Sequence, residues 1–317
     1  MTRRGWVLFM LMSVIWGIPY LLIKVADGGV AVPVLVFGRT AIGALLLLPL
    51  AARRREIVAA LAHWRWLAVF AAVEVIMPWA LLSDAEHHLA SSLTGMLIAS
   101  VPVLGAVLAL LTRDGDRLTL VRWAGLALGL GGVVLLAGPT TAGGDAWAVA
   151  EVLLTALCYA TGPLIASRKL SDAPSLGTNA VCLTLAALIY APFAALTWPN
   201  VVPSAGVIAS LVTLGVVCTG TALVLFFALI AEAGPARATV ITYINPAVAA
   251  TLGVALLNEH LTPAILASFV LILAGSYFAT RQSKAGHVGK ALKVRRSGNG
   301  SESVPPVTVS ASPCNDS

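Results

Sequence analysis

Ten apolar stretches follow one another with only short polar breaks, at about 6–26, 31–51, 66–84, 90–112, 119–138, 146–168, 177–198, 206–230, 235–257 and 262–281. Crossing roughly 30 Å of hydrocarbon as a helix takes about 20 apolar residues, so each stretch is long enough to span a bilayer once. Inside hydrocarbon every backbone N–H and C=O must be satisfied within the segment, which predicts a helix for each. Composition agrees: 59% of the 317 residues are hydrophobic and 11% are charged, where a soluble domain carries about one quarter charged. No single core hides that much apolar side chain. The third stretch contains Glu74 and Pro78, and Asn245-Pro246 breaks the ninth. Because the connections are short, the ten spans are expected to form one bundle.

Cation placement orients it. With ten spans both termini share a side, and putting them in the cytoplasm places 18 of the 20 Lys and Arg on the cytoplasmic side, as the positive-inside rule requires. Only Lys24 and Arg39 fall on the outer half. Most tryptophans sit near span ends, Trp6, Trp64, Trp66 and Trp123 near inner ones and Trp79, Trp147 and Trp198 nearer outer ones, while Trp16 is at mid-span. The net charge of +6 therefore follows topology and does not mark a nucleic-acid surface. Residues 1–26 begin with arginines like a signal peptide but lack a small-x-small cleavage pattern close behind, so they count as a span. Residues 282–317 are rich in Ser, Gly, Lys, Val and Pro without periodicity, and are expected to be a disordered basic cytoplasmic tail. Three cysteines lie in apolar stretches and Cys314 in that tail, with no disulfide or metal spacing.

The spans repeat. A shift of 144 lays Pro19 on Pro163, Lys24 on Arg168 and Pro102 on Pro246; after a one-residue slip, Leu118-Thr119 falls on Leu261-Thr262 and Gly132 on Gly275. This divides the chain into a first five-helix repeat over 1–138, a second over 139–281, and the tail. Five is odd, so the second copy enters the membrane from the opposite side. The loop "RDGDR" after span four is basic, whereas its counterpart "NEH" has no Lys or Arg. Inverted repeats are a transporter signature.

The residues "IWG" in span one, "LIASVPVLGAVLALL" with "GDRLTLVRWAGLALGLGGVVLL", and "AEAGPARATVITYINPAVAATLGVALLNEHLTPAILASFVLILAG" resemble the EamA domain of drug/metabolite transporters, over about residues 6–280. The resemblance implies an all-α membrane protein of the bacterial inner membrane, with two inverted five-helix repeats around a central cavity. It also implies small metabolites as solutes, often amino acids or related compounds, moved outward. Two positions depart from the pattern: Asp116 stands where Glu is usual, although the second copy keeps Glu259, and Tyr159 stands near a position that often holds Trp.

Depth selects the candidate site. At 1.5 Å per residue, Trp16 and Glu74 lie about 15 Å from the outer ends of their stretches and Arg39 about 12 Å. Pro102, Thr161, Thr219, Thr221, Asn245 and Pro246 share this slab. Gly17, Tyr20, Ser100, Tyr159, Thr242 and Tyr243 complete the set expected to line a cavity, with Pro19, Pro102, Pro163 and Pro246 as helix breaks or gates. Intramembrane charge is costly, so Arg39 and Glu74 should face protein or water. Either Arg39 holds a solute carboxylate while Glu74 takes an amine or a coupling proton, or the two form a structural salt bridge. Pro102 and Asn245-Pro246 interrupt spans four and nine at matched positions, freeing the carbonyls of Ile98 and Thr242; a packing kink is the other explanation.

Other features read as structural. Gly125-xxx-Gly129 permits close helix packing; Asp116 and Glu259 precede helix starts, and Thr262-Pro263 suits a helix cap. Asp84, Glu86, His87 and His88 are expected in a solvated outer turn, and Glu151 either at the cavity mouth or on the surface. No phosphate-binding loop is present, which points to a secondary transporter without its own ATPase. Its partners would be a small amphipathic or zwitterionic solute, lipid and protons, with no cofactor or nucleic acid, and it would work as a monomer or weak homodimer. An intramembrane enzyme acting on lipid is the alternative class, but no nucleophile has an evident base. A scaffold would not need paired helix breaks.

Overall fold

The computed structural model describes residues 1–111, 119–142, 145–234 and 238–280. Ten helical segments long and apolar enough to cross a membrane run over Arg3–Asp27, Val32–Arg53, Trp64–His88, Ser91–Leu111, Leu120–Gly138, Ala146–Lys169, Ser175–Leu196, Ala205–Ala233, Val240–Leu257 and Pro263–Thr280. Among the described residues there is no β-strand. Leu45, Val134, Leu188, Phe193, Leu196 and Val270 are exposed on the outside, a surface that suits acyl chains and not water.

Span two packs along span seven, four along nine, and five along ten; three lies against six, and one against eight. Exchanging the two repeats maps this set of pairings onto itself, so each main helix–helix contact joins one repeat to the other. Small residues make the closest one. A Cβ added to Gly275 would lie 2.7 Å from the Gly125 carbonyl oxygen, so the glycine run of span five is occupied by span ten within the chain.

Irregular backbone recurs at related positions. Span one stops at Ile15 and restarts at Pro19, whose missing N–H is tolerated in a first turn. Span four is interrupted between Ile98 and Val101, and span nine begins as a 3-10 turn, Thr239–Tyr243, before Asn245–Leu257. In spans three and eight the helix widens to π geometry over Ala72–Ile76 and Val216–Thr221. The 144-residue shift carries the first π segment onto the second. Pro78 accounts for widening in span three, because it supplies no N–H to the carbonyl of Glu74; the Ile76 carbonyl accepts from the Tyr190 hydroxyl at 2.9 Å. Span six differs from its partner span one. Its helix is continuous over Ala146–Lys169 with Pro163 inside it, so the expected break at Pro163 is absent.

Below, the face carrying Arg3 and Thr280 is called terminal, and the opposite face distal.

Candidate solute site

Arg39 on span two is the centre of the polar interior, with 6% of its surface exposed. Its Nε donates to Thr219 Oγ1 at 3.1 Å, on the π segment of span eight. Its guanidinium carbon lies 3.6 Å from the ring centroid of Trp79, just beyond the π segment of span three. One arginine thus joins the widened turn of span eight to the helix that follows the widened turn of span three. Stacking on an aromatic face suits the weakly hydrated, planar guanidinium. Tyr159 of span six makes a polar contact with Trp79 and lies within electrostatic reach of both Arg39 and Glu74; Tyr20 of span one, also buried, lies within reach of Arg39. Among the described residues no carboxylate comes within salt-bridge distance of Arg39. Its remaining guanidinium N–H groups have no hydrogen-bond partner there.

Glu74 does not pair with Arg39, and depth is the reason. Span three extends to His88, which places Glu74 about 21 Å from the distal end of its span and Arg39 about 10 Å from the distal end of span two. Glu74 instead lies against Gly162 of span six, where any side chain would collide with the carboxylate. Its Oε2 is sealed there without a hydrogen-bond partner.

The other expected residues disperse. Trp16 is half-buried with its ring tilted on Phe226 of span eight, centroids 4.7 Å apart. Gly17 brings the break of span one against span nine, where an added Cβ would sit 3.0 Å from the Asn245 carbonyl oxygen. With its amide oriented to satisfy its neighbours, Asn245 donates to the carbonyl oxygens of Ser13 at 3.0 Å and Ile241 at 2.9 Å, tying the same two breaks together. Pro19 and Pro246 are buried at that junction. Ser100 is buried in the break of span four with its hydroxyl unpartnered, and the neighbouring Ala99 carbonyl accepts from Ser276 at 3.3 Å. Pro102 and Thr242 are half-buried. Thr161 returns its hydroxyl to the Leu157 carbonyl of its own helix, and Thr221 is exposed. Tyr243 reaches Thr280 near the terminal face. An apolar cavity of about 340 Å³ lies between spans two, seven and eight, lined by Leu50, Arg54, Leu176, Val224, Phe227 and Ala228. It is about 16 Å along span two from Arg39, so it is not the polar site.

The distal face corrects one expectation. Glu86 is not in a solvated turn: it is fully buried. Asp27 pairs with His87. Glu259, from the connection between spans nine and ten, accepts from the Ser91 N–H at 2.8 Å, the Ser91 hydroxyl at 2.9 Å and the Ser92 N–H at 2.9 Å, capping the start of span four. Burial alone would raise the Glu259 pKa, but the hydrogen bonds from Ser92 and Ser91 outweigh it and hold the carboxyl below its ordinary value.

A ten-span helical bundle whose main helix pairings are unchanged when its two halves are exchanged, with irregular backbone at related positions, has the architecture of an inverted-repeat transporter. The EamA-like transporter family model matches residues 3–138 and again 146–281, and the chain belongs to that family, within the drug/metabolite transporter superfamily. The YedA proteins of Escherichia coli strains K12, O6:H1 CFT073 and O157:H7, each named as an uncharacterized inner membrane transporter, are 25% identical to it over 211 residues, covering 62% of this chain and 67% of theirs. A solved crystal structure superimposes with a TM-score of 0.63 at 21% identity, covering 87% of this chain and 96% of its own; that likeness is one of fold.

Proposed function

We propose that this transporter is a secondary exporter of small zwitterionic or amphipathic metabolites in the bacterial inner membrane, working by alternating access with both termini in the cytoplasm. The observation that carries the proposal is Arg39: a buried guanidinium, fixed through Nε and one ring face, with N–H groups left for an anion. A carboxylate fits that fork, and Trp79, Tyr20 and Tyr159 offer faces for an apolar solute body. Glu74, about 10 Å nearer the terminal face by helix rise, is a second station, for the solute amine or a coupling proton. A polyanion would meet one cation and several carboxylates, so a sugar phosphate is disfavoured. The cation asymmetry of the sequence supports the orientation.

The test is flux of a panel of radiolabelled amino acids through liposomes containing the purified protein. Flux of at least one of them, lost in Arg39→Ala but not in a folded surface variant, is expected. No flux across the panel, or unchanged flux in stably inserted Arg39→Ala, overturns the proposal. Gradient-driven flux that Glu74→Gln leaves intact removes the proton role from Glu74.

A further inference from the structure

Glu86 lies two residues before the distal end of span three, where a carboxylate would ordinarily meet water. It has 0% exposure, and neither carboxylate oxygen has a hydrogen-bond partner. Neighbouring acids are better served, Asp27 by His87 and Glu259 by the start of span four. Lys24 of span one brings its ammonium to the same place but donates to backbone, to the carbonyl oxygens of Glu86 and of Leu89, which closes the C-terminal end of span three. The other groups within electrostatic reach of Glu86 are Tyr20 and Asp27 of span one, Arg39 of span two and Glu259 of the nine–ten connection. Asp27 and Glu259 oppose a further negative charge while Lys24 and Arg39 favour it, so with two of each sign it is burial that decides. Glu151 of span six faces Asp84 and His88.

A carboxylate sealed from water without a donor is more costly than one that keeps its proton. A sodium ion would need several oxygen ligands, and the carbonyls at this end already hold the Lys24 ammonium. Glu259, within electrostatic reach of Glu86, bridges the second repeat to the first through its hydrogen bonds to Ser91 and Ser92, a bridge that opening of the distal face would have to break.

We propose that Glu86 is a proton site on the distal side, neutral while that face is closed and ionised when it opens. This rests on the alternating-access reading. In the opening step the carboxyl O–H bond breaks, the proton passes to water at the distal face, and the carboxylate is hydrated beside Lys24. Closing requires a proton from the same water, so occupancy of Glu86 couples the proton activity outside to the return of the transporter.

Infrared difference spectra of the full-length protein in liposomes at neutral pH test this without a transported solute. A protonated-carboxyl stretch is expected in wild type, reduced by one carboxyl in Glu86→Gln and still present at the Glu86 frequency in Glu74→Gln. Glu86→Gln, neutral and of the same shape, should melt at the wild-type temperature, which separates loss of the band from loss of fold. Glu259→Ala, which removes the bridge to Ser91 and Ser92, should weaken the same band at neutral pH. A spectrum that Glu86→Gln leaves unchanged overturns the assignment. A band removed by Glu86→Gln but indifferent to Glu259→Ala overturns the coupling to opening. Amino-acid flux in wild type is read separately, so loss of the proton site leaves the transport proposal standing, and absent flux with an intact band counts against transport alone.

Discussion

Replacing Gly17 with alanine puts a methyl group where spans one and nine leave none. The added Cβ would sit 2.5 Å from Val248 Cβ and 2.6 Å from its Cγ1, with the Asn245 carbonyl oxygen at 3.0 Å. Apolar carbons rest about 3.5–4.0 Å apart, so the gap is short by about 1 Å. Val248 can rotate Cγ1 away, but its Cβ is fixed to the backbone of span nine, and that helix must move. Overpacking of this kind costs about 1–3 kcal/mol. Gly17 lies in the turn between Ile15 and Pro19 and gains no helix propensity in return. Gly131 is the control: it lies inside the helix Leu120–Ala142 with nothing within 4 Å of an added Cβ, so Gly131→Ala should be neutral or stabilise by up to about 1 kcal/mol. The assay is the apparent melting temperature in detergent at one scan rate, since unfolding of such proteins is commonly irreversible. Val248→Ala should rescue Gly17→Ala only in part, because it removes the Cγ atoms and leaves the Cβ. If Gly17→Ala melts with wild type or with Gly131→Ala, the two breaks are not in close contact and the junction described here is wrong.

Gly162→Ala should destabilise by about 1–3 kcal/mol because the new methyl displaces the Glu74 carboxylate; Glu74→Ala should suppress that loss in a double-mutant cycle of melting temperatures. Arg39→Lys keeps the charge but loses the Nε bond to Thr219 and the stack on Trp79, and should cost about 1–3 kcal/mol by thermal melting. Glu259→Ala should raise hydrogen exchange at the amides of Ser91 and Ser92, read by mass spectrometry. The cap also has a pH sign: a carboxyl held below its ordinary 4.5 stabilises fully above that value and loses the contribution as pH falls through its lowered pKa. Protection at Ser91 should therefore hold at neutral pH and through 4.5, and fail only at lower pH, as the carboxyl is protonated at its lowered pKa.

Ten crossings and a twofold repeat of five spans were legible because neither needs coordinates: the length of an apolar run decides whether it spans, and a shift of 144 is read by laying the sequence on itself. Matched interruptions near Pro102 and Asn245-Pro246 were legible for the same reason, since a proline removes a local donor wherever the helix lies. One boundary misled. Ending span three at 84 left Trp79 near its rim and Glu86 in a loop, whereas the helix continues to His88. The charged residues Asp84, Glu86 and the two histidines after it lower local hydropathy, and neighbouring helices bury what hydropathy marks as polar. Depth counted from His88 would have put Trp79 beside Arg39.

By itself the sequence determined how many times the chain crosses, that its halves are related, and which residues are too polar for lipid. Only the tertiary structure decided which of those polar residues meet. Arg39 found Trp79 and Thr219 instead of Glu74, Pro163 was absorbed into a continuous helix, and Glu86 was sealed without a partner. Rise per residue sets a side chain's depth, but its partners depend on the rotation and lateral packing of several helices together, which no stretch of sequence encodes alone.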